Sequence, residues 1–185
     1  MTAPGDRVRE PARRDSAGSL PETLLFWGHR PPRGGGVGKS CLSQWYPAPF
    51  TVDGARYATA EHFMMAGKAR LFGDGEALRL VLAAGDPGAA KGAGRKVRGF
   101  DENTWTAHRY ALVIAANTAK FGQHPALRGF LLGTGEKVLV EASPQDTVWG
   151  IGLSAAQPEA GRPAQWRGLN LLGFALMDVR QALRD

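Results

Sequence analysis

Glu61 and Lys68 stand seven residues apart in the run Thr59-Ala60-Glu61-His62-Phe63-Met64-Met65-Ala66-Gly67-Lys68. In a helix that spacing makes almost two turns, so the carboxylate and the amine project from nearly the same face, about 10 Å apart. Met64 and Met65 lie between them, on or beside that face. An acid, soft apolar surface and a base arranged in this way form either a solvated edge or one wall of a pocket. Farther along, Asp146 and Trp149 fall in a loop after a short strand, the usual place for a functional carboxylate carried by a scaffold. Trp105 begins the longest helical stretch and Lys120 lies near its end. The combination suits chemistry on a glycosylic bond. An aromatic ring stacks the base, a carboxylate stabilises positive charge developing at the sugar carbon, and a second acid or a lysine moves a proton or attacks that carbon. Each residue taken alone has an ordinary structural reading: solvated helix charges for Glu61 and Lys68, core aromatics for the tryptophans, a turn cap for Asp146. His62 and His108 have no metal-ligand spacing and read as structural histidines.

The elements that must position these groups follow from turn and cap signals. Leu24 to Trp27 suits a short strand, and the Pro- and Gly-rich run 30–38 a loop. Asp53-Gly54 between Phe50-Thr51-Val52 and Ala55-Arg56-Tyr57 predicts a hairpin, because both turn residues tolerate positive φ. Thr59 caps a predicted helix reaching Phe72, which Gly73-Asp74-Gly75 stops. A second helix is expected over 76–84, a short third one after Asp86-Pro87, the longest over 102–121 behind Asp101, and another over 124–132. The run 137–141 reads as a strand and 143–152 as a loop, while the Pro-, Gly- and Ala-rich run 154–168 reads as a surface insertion. Asn170 is expected to cap the last helix, whose Leu172, Leu176, Val179 and Leu183 form a core stripe. The fold class is therefore mainly α with a few short strands.

At 185 residues the chain suits one domain with a sizeable core, here residues 22–185, preceded by a polar tail over 1–21 expected to be disordered. Hydrophobic content of 43% and charged content of 22% are ordinary for a soluble globular protein. The single cysteine, Cys41, rules out an internal disulfide and a Cys-based zinc site, and suits a reducing compartment. The start lacks the apolar run of a signal peptide and no stretch is long enough to span a membrane, so a cytoplasmic protein is expected. A net charge of +6 favours phosphate-bearing or polyanionic partners, with Lys91, Arg95, Lys96 and Arg98 the densest basic cluster.

Gly34-Gly35-Gly36-Val37-Gly38-Lys39-Ser40 imitates a nucleotide-binding phosphate loop. It fails on spacing, since Arg33 stands where the first glycine belongs, and on context, since Pro47 and Pro49 forbid a long helix after Ser40.

Read in order, Phe50-x-x-Asp53-Gly54, Thr59-x-Glu61-His62 to Lys68, Gly94-Arg95, Trp105 and Lys120-Phe121 resemble the NADAR (YbiA-like) family. The resemblance continues through Leu131-Leu132-x-Thr134-Gly135, Val140-Glu141-x-Ser143, Asp146-x-x-Trp149-Gly150-x-Gly152 and Asn170-x-x-Gly173. It implies a compact, mainly helical fold and an N-glycosidase without metal or cofactor. The implied substrate is a small phosphorylated, nucleoside-like riboflavin-pathway intermediate, or ADP-ribosylated guanine in nucleic acid. Carried over, Glu61 is the acid nearest the scissile bond, Asp146 its loop partner, and Lys68 either orients substrate or attacks the sugar carbon through an imine. Trp105 and Trp149 shape the pocket, Arg95 and Lys120 are phosphate contacts, and Ser43, Gly150 and Asn170 fall among the substrate-contacting positions. Ser43-Gln44-Trp45 replaces the Ser-Asn-Phe of many members, and Met64-Met65-Ala66 stands where a Gln-Ala pair is common. Readings from other classes are a non-catalytic module for NAD or ADP-ribose and a basic nucleic-acid binder.

Overall fold

A computed structural model describes residues 11–18 and 21–184. Of the tail expected over 1–21, residues 1–10, 19 and 20 lie outside the described part, and residues 11–16 are helical. Strand β1 (Thr23–Phe26) pairs in parallel with β4 (Val138–Glu141), Phe26 standing opposite Glu141. The hairpin β2 (Phe50–Val52) and β3 (Ala55–Tyr57) turns through Asp53 and Gly54, both at positive φ (50° and 76°), as its sequence predicts.

Helix α1 (Ala60–Leu71) follows directly, its first turn held by Thr59, whose hydroxyl accepts the His62 N–H. The His62 ring is wired into the same corner between the Thr59 hydroxyl (2.8 Å) and the Ala84 carbonyl (3.2 Å), a structural use of that histidine. Helices α2 (Gly75–Leu82) and α3 (Pro87–Arg95) begin at Asp74 and Asp86, whose carboxylates accept N–H groups of the first turn. The long helix α4 (Glu102–Gln123) begins at Asp101 in the same manner and passes into α5 (Pro125–Gly133). The last helix, α6 (Leu171–Ala182), packs on α4 and β4.

Helix α1 is the centre of the molecule. It packs against α2, α3 and α4, and residues 60–67 are all buried. Glycines allow the close approaches. A Cβ on Gly94 of α3 would collide with Met65, and one on Gly67 would sit 2.7 Å from Leu112 of α4. Among the described residues no helix is long and apolar enough to cross a membrane.

Residues 154–168 lie mostly at the surface, as expected, but are pinned to the body of the protein. They contain short 3-10 turns at Pro158–Gly161 and Pro163–Gln165, and Ala160 joins Val138, Val140, Ala142, Ile151 and Leu153 in a second apolar cluster. Asn170 occupies the N-cap position of α6 but its side chain makes no cap bond. The opening N–H groups of that helix, on Leu171 and Leu172, are taken by the carbonyls of Val148 and Trp149 instead. Asn170, at φ 50°, is thereby free to clamp β4: its Oδ1 accepts the Glu141 N–H and its Nδ2 donates to the Leu139 carbonyl, both at 2.9 Å.

Candidate active site

Glu61 lies in the first turn of α1 and is 3% exposed. Its backbone N–H donates to the Gln44 carbonyl at 3.0 Å, which seats the segment Ser43-Gln44-Trp45 on the start of the helix. The Trp45 indole donates to the Glu61 carboxylate, whose other oxygen, Oε1, is buried with no protein partner. Burial pushes the Glu61 pKa up to about 7, and the negative charge of Asp146 adds to this. Lys91, the indole bond and Arg95 oppose it. Both cations come from α3, which the Gly94–Met65 contact presses against α1. Lys91 also stands 5.8 Å from the Trp45 ring, whose other neighbour is the His29 ring at 5.6 Å.

The loop after β4 closes the cluster. Asp146 Oδ1 accepts the N–H groups of Val148 (2.9 Å) and Trp149 (2.7 Å), so the carboxylate shapes its own turn. Gly150 is tightly enclosed: a Cβ there would lie 2.8 Å from the Glu141 carbonyl and 3.0 Å from that of Asp146. Its part is to let the loop pass close to β4. Trp149 is half-buried and packs against the main core.

The structure thus brings Glu61, Asp146 and Arg95 together and adds Trp45 and Lys91. Lys68 occupies the other end of the same face of α1, with its Nζ 4.0 Å from the Phe100 ring centroid and 5.4 Å from that of Trp105. Burial lowers its pKa, opposed by Glu102. Partial burial brings the amine closer to its neutral, nucleophilic form, while the aromatic faces favour the ammonium.

Other expected contacts sit elsewhere. Lys120 is completely buried and points away from solvent, donating to the carbonyls of Cys41 and Ser43 (2.9 Å for Ser43). It therefore anchors the segment that carries Gln44 and Trp45, and a phosphate cannot reach it without displacing those carbonyls. Ser43 turns its hydroxyl inward as well, accepting the Trp45 N–H at 3.1 Å. Asn170 acts on β4, as described above, and touches the site only through Glu141.

Besides Trp45, three participants escaped the sequence reading of the site. Asn117, one turn before Lys120 on α4, donates at 2.7 Å to the Gln44 side-chain oxygen. Lys91 was visible only as one member of a basic run. Glu141 ends an otherwise apolar strand, and a carboxylate in that place was the available signal.

A cavity of about 760 Å³ lies on the reverse face of α1, lined there by Phe63, Gly67 and Arg70 and across from it by the hairpin. Neither Glu61 nor Asp146 lines it, and its one lining carboxylate is the turn residue Asp53. Among the described residues no group of three or more His, Cys, Asp or Glu could hold a metal ion.

The chain is 42% identical over 150 residues to an N-glycosidase of Acanthamoeba polyphaga mimivirus, covering 78% of this chain and 88% of that protein. It is 31% identical over 135 residues to the N-glycosidase YbiA of Escherichia coli, covering 73% and 76%. The solved NMR structure of Escherichia coli YbiA superposes with a TM-score of 0.70 at 26% identity, covering 89% of this chain and 87% of that one. A family model described as the NADAR domain matches residues 25–184, and the chain belongs to that family.

Proposed function

We propose that the protein is an N-glycosidase that hydrolyses the bond between a heterocyclic base and a phosphorylated ribose, using its own side chains as acid, base and electrostatic partner. One observation carries this reading: a buried carboxylate, Glu61, with a free oxygen, ringed by an indole, a second acid and two cations. In such a site the Glu61 carboxylate faces the sugar carbon as the C–N bond lengthens and positive charge develops there. Asp146 adds to that negative potential. Arg95 and Lys91, both on α3, offer charge to the phosphate. Trp45, Trp149 and Trp105 supply aromatic surface for the base and sugar.

Lys68 has two readings within this class. It orients the substrate, or its neutral amine attacks the sugar carbon: the base leaves with a proton, the ring C–O bond then opens as the nitrogen forms an imine, and water later cleaves that imine. Partial burial of its amine, which favours the neutral form, supports the second.

Two substrate types share the required linkage: a phosphoribosylated riboflavin-pathway intermediate and ADP-ribosylated guanine. The test is to incubate the purified chain with each and separate the products by chromatography. Release of phosphoribose from one, or of ADP-ribose from the other, supports the enzyme and chooses the substrate. Tight binding with no released sugar refutes it in favour of a binding module for ADP-ribose-like ligands. Borohydride added during turnover tests Lys68: a sugar adduct on that residue supports the imine, and a wild-type turnover with no trapped adduct leaves it as the orienting group.

A further inference from the structure

Glu141 is a third carboxyl in the cluster. Its backbone is fixed on three sides: the N–H donates to Asn170 Oδ1 at 2.9 Å, and the carbonyl accepts the N–H groups of Ser143 (2.9 Å) and Ile151 (3.0 Å). The side chain's Oε2 is buried with no protein partner. The charged groups acting on it are Asp146 from the following loop, Glu61 from α1 and Lys91 from α3.

Glu61 and Glu141 therefore share one region but not one environment. Glu61 has an indole donor and two cations, which favour its carboxylate. Glu141 faces two acids against a single cation that it shares with Glu61, and this favours its neutral, protonated form. Two carboxyls whose surroundings separate their protonation states are the usual arrangement for an acid and an anionic stabiliser.

We propose that Glu141 is the general acid that protonates the departing base. This rests on the N-glycosidase reading given above. As the bond between the sugar carbon and the base nitrogen breaks, its electron pair goes to the nitrogen, which takes the Glu141 proton. Water adds its oxygen to the sugar carbon, and the proton that this water loses returns to Glu141. Glu61 acts in its ionised form and faces the positive carbon. Burial first, then the charges of Asp146 and Glu61, push the Glu141 pKa up to about 8, so the acid is in place at neutral pH.

The experiment compares wild type with Glu141→Gln on two probes. One is an aminopyrimidine ribonucleoside 5′-phosphate, whose base must be protonated to leave. The other is 4-nitrophenyl ribofuranoside 5-phosphate, whose phenolate leaves unaided. Glutamine resembles the protonated acid in shape, and far-UV circular dichroism checks that the variant folds. The expected result is a loss of about 100-fold on the first probe and less than about tenfold on the second, within the range of general acid catalysis. The alkaline limb of kcat/KM, near pH 8 in wild type, is expected to vanish. Glu141→Asp, which keeps the proton but retracts it, should regain part of the activity on the first probe. Equal losses on both probes, or an alkaline limb that survives in Glu141→Gln, overturn the assignment while leaving the enzyme intact. A folded wild type that cleaves neither probe nor either natural linkage overturns the glycosidase reading and this proposal with it.

Discussion

Replacing Lys120 by methionine tests whether a buried amine without a carboxylate partner is held at the heart of the protein. Lys120 has no exposed surface, and its Nζ is surrounded by the Cys41 and Ser43 carbonyls and the rings of Phe121 (4.9 Å) and Tyr46 (5.7 Å). Burial lowers its pKa from 10.5 to about 7. Between those values the unfolded chain carries the proton and the folded chain does not, so folding stability rises with pH, by about 1.4 kcal/mol per pH unit when one full proton differs. The carboxyls act in the opposite sense. Glu61 and Glu141, raised to about 7 and about 8, make stability fall as pH climbs towards those values. The Cys41 thiol, raised from 9.0 to about 11, does the same at higher pH. Over pH 8 to 9 the lysine outweighs them, and wild type should gain about 0.5 kcal/mol after the remaining titration of Glu141 and the ionisation of Cys41 in the unfolded chain are subtracted. Urea unfolding followed by tryptophan fluorescence at pH 8.0, 8.5 and 9.0 measures it. In Lys120→Met the gain should disappear, and turnover should drop because the segment carrying Trp45 has lost both anchors. A wild-type stability that is flat or falling over that interval, or a gain that persists in the variant, would show that Lys120 is not held neutral in the core.

Other expectations follow from the same geometry. Glu61→Gln should abolish base release yet raise stability at pH 8 by about 3 kcal/mol, since the buried acid has shifted from 4.5 to about 7. The benefit should shrink to nothing near pH 4.5, and paired urea curves at the two pH values would expose a failure of either part. Asn170→Ala leaves the Glu141 N–H and the Leu139 carbonyl without their partners and places a Cβ residue without a compensating bond at φ 50°. A loss of about 3 kcal/mol is expected by chemical denaturation, and a change below about 1 kcal/mol would contradict the clamp.

Much of the scaffold is legible from local signals because those signals act locally. Thr59, Asp74, Asp86 and Asp101 each cap the helix they precede, and Asp53-Gly54 turns the hairpin. The pairing of β1 with β4 is different: the partners are separated by most of the chain, and no turn residue announces a parallel ladder. Asn170 looks like a cap because it precedes an apolar stripe, but the loop carbonyls of Val148 and Trp149 take the helix N–H groups first. Of the site, Glu61, Asp146 and Arg95 were visible as charges in loops or helices, and the charges of Asp146 and Arg95 act on Glu61. Lys120 misled because a lysine near the end of a long helix reads as a solvated or phosphate-facing cation. Its fate is decided by two carbonyls almost eighty positions away, at Cys41 and Ser43. Glu141 and Trp45 gained their meaning only when β4, α1 and the loop before the hairpin were seen side by side.

The burial of α1 on nearly all sides also bears on how this protein can change. The principal acid sits on the helix with the most neighbours, so any substitution beside it must be accepted by α2, α3 and α4 together. Drift along residues 60–67 is correspondingly constrained. The surfaces around Glu61 are less restricted: the exposed positions 144, 145 and 147 of the loop after β4, and Lys91 and Arg95 on α3, can vary one at a time without refitting the core. New specificities in such a molecule would arise around a stationary acid, by exchange of the walls that face it.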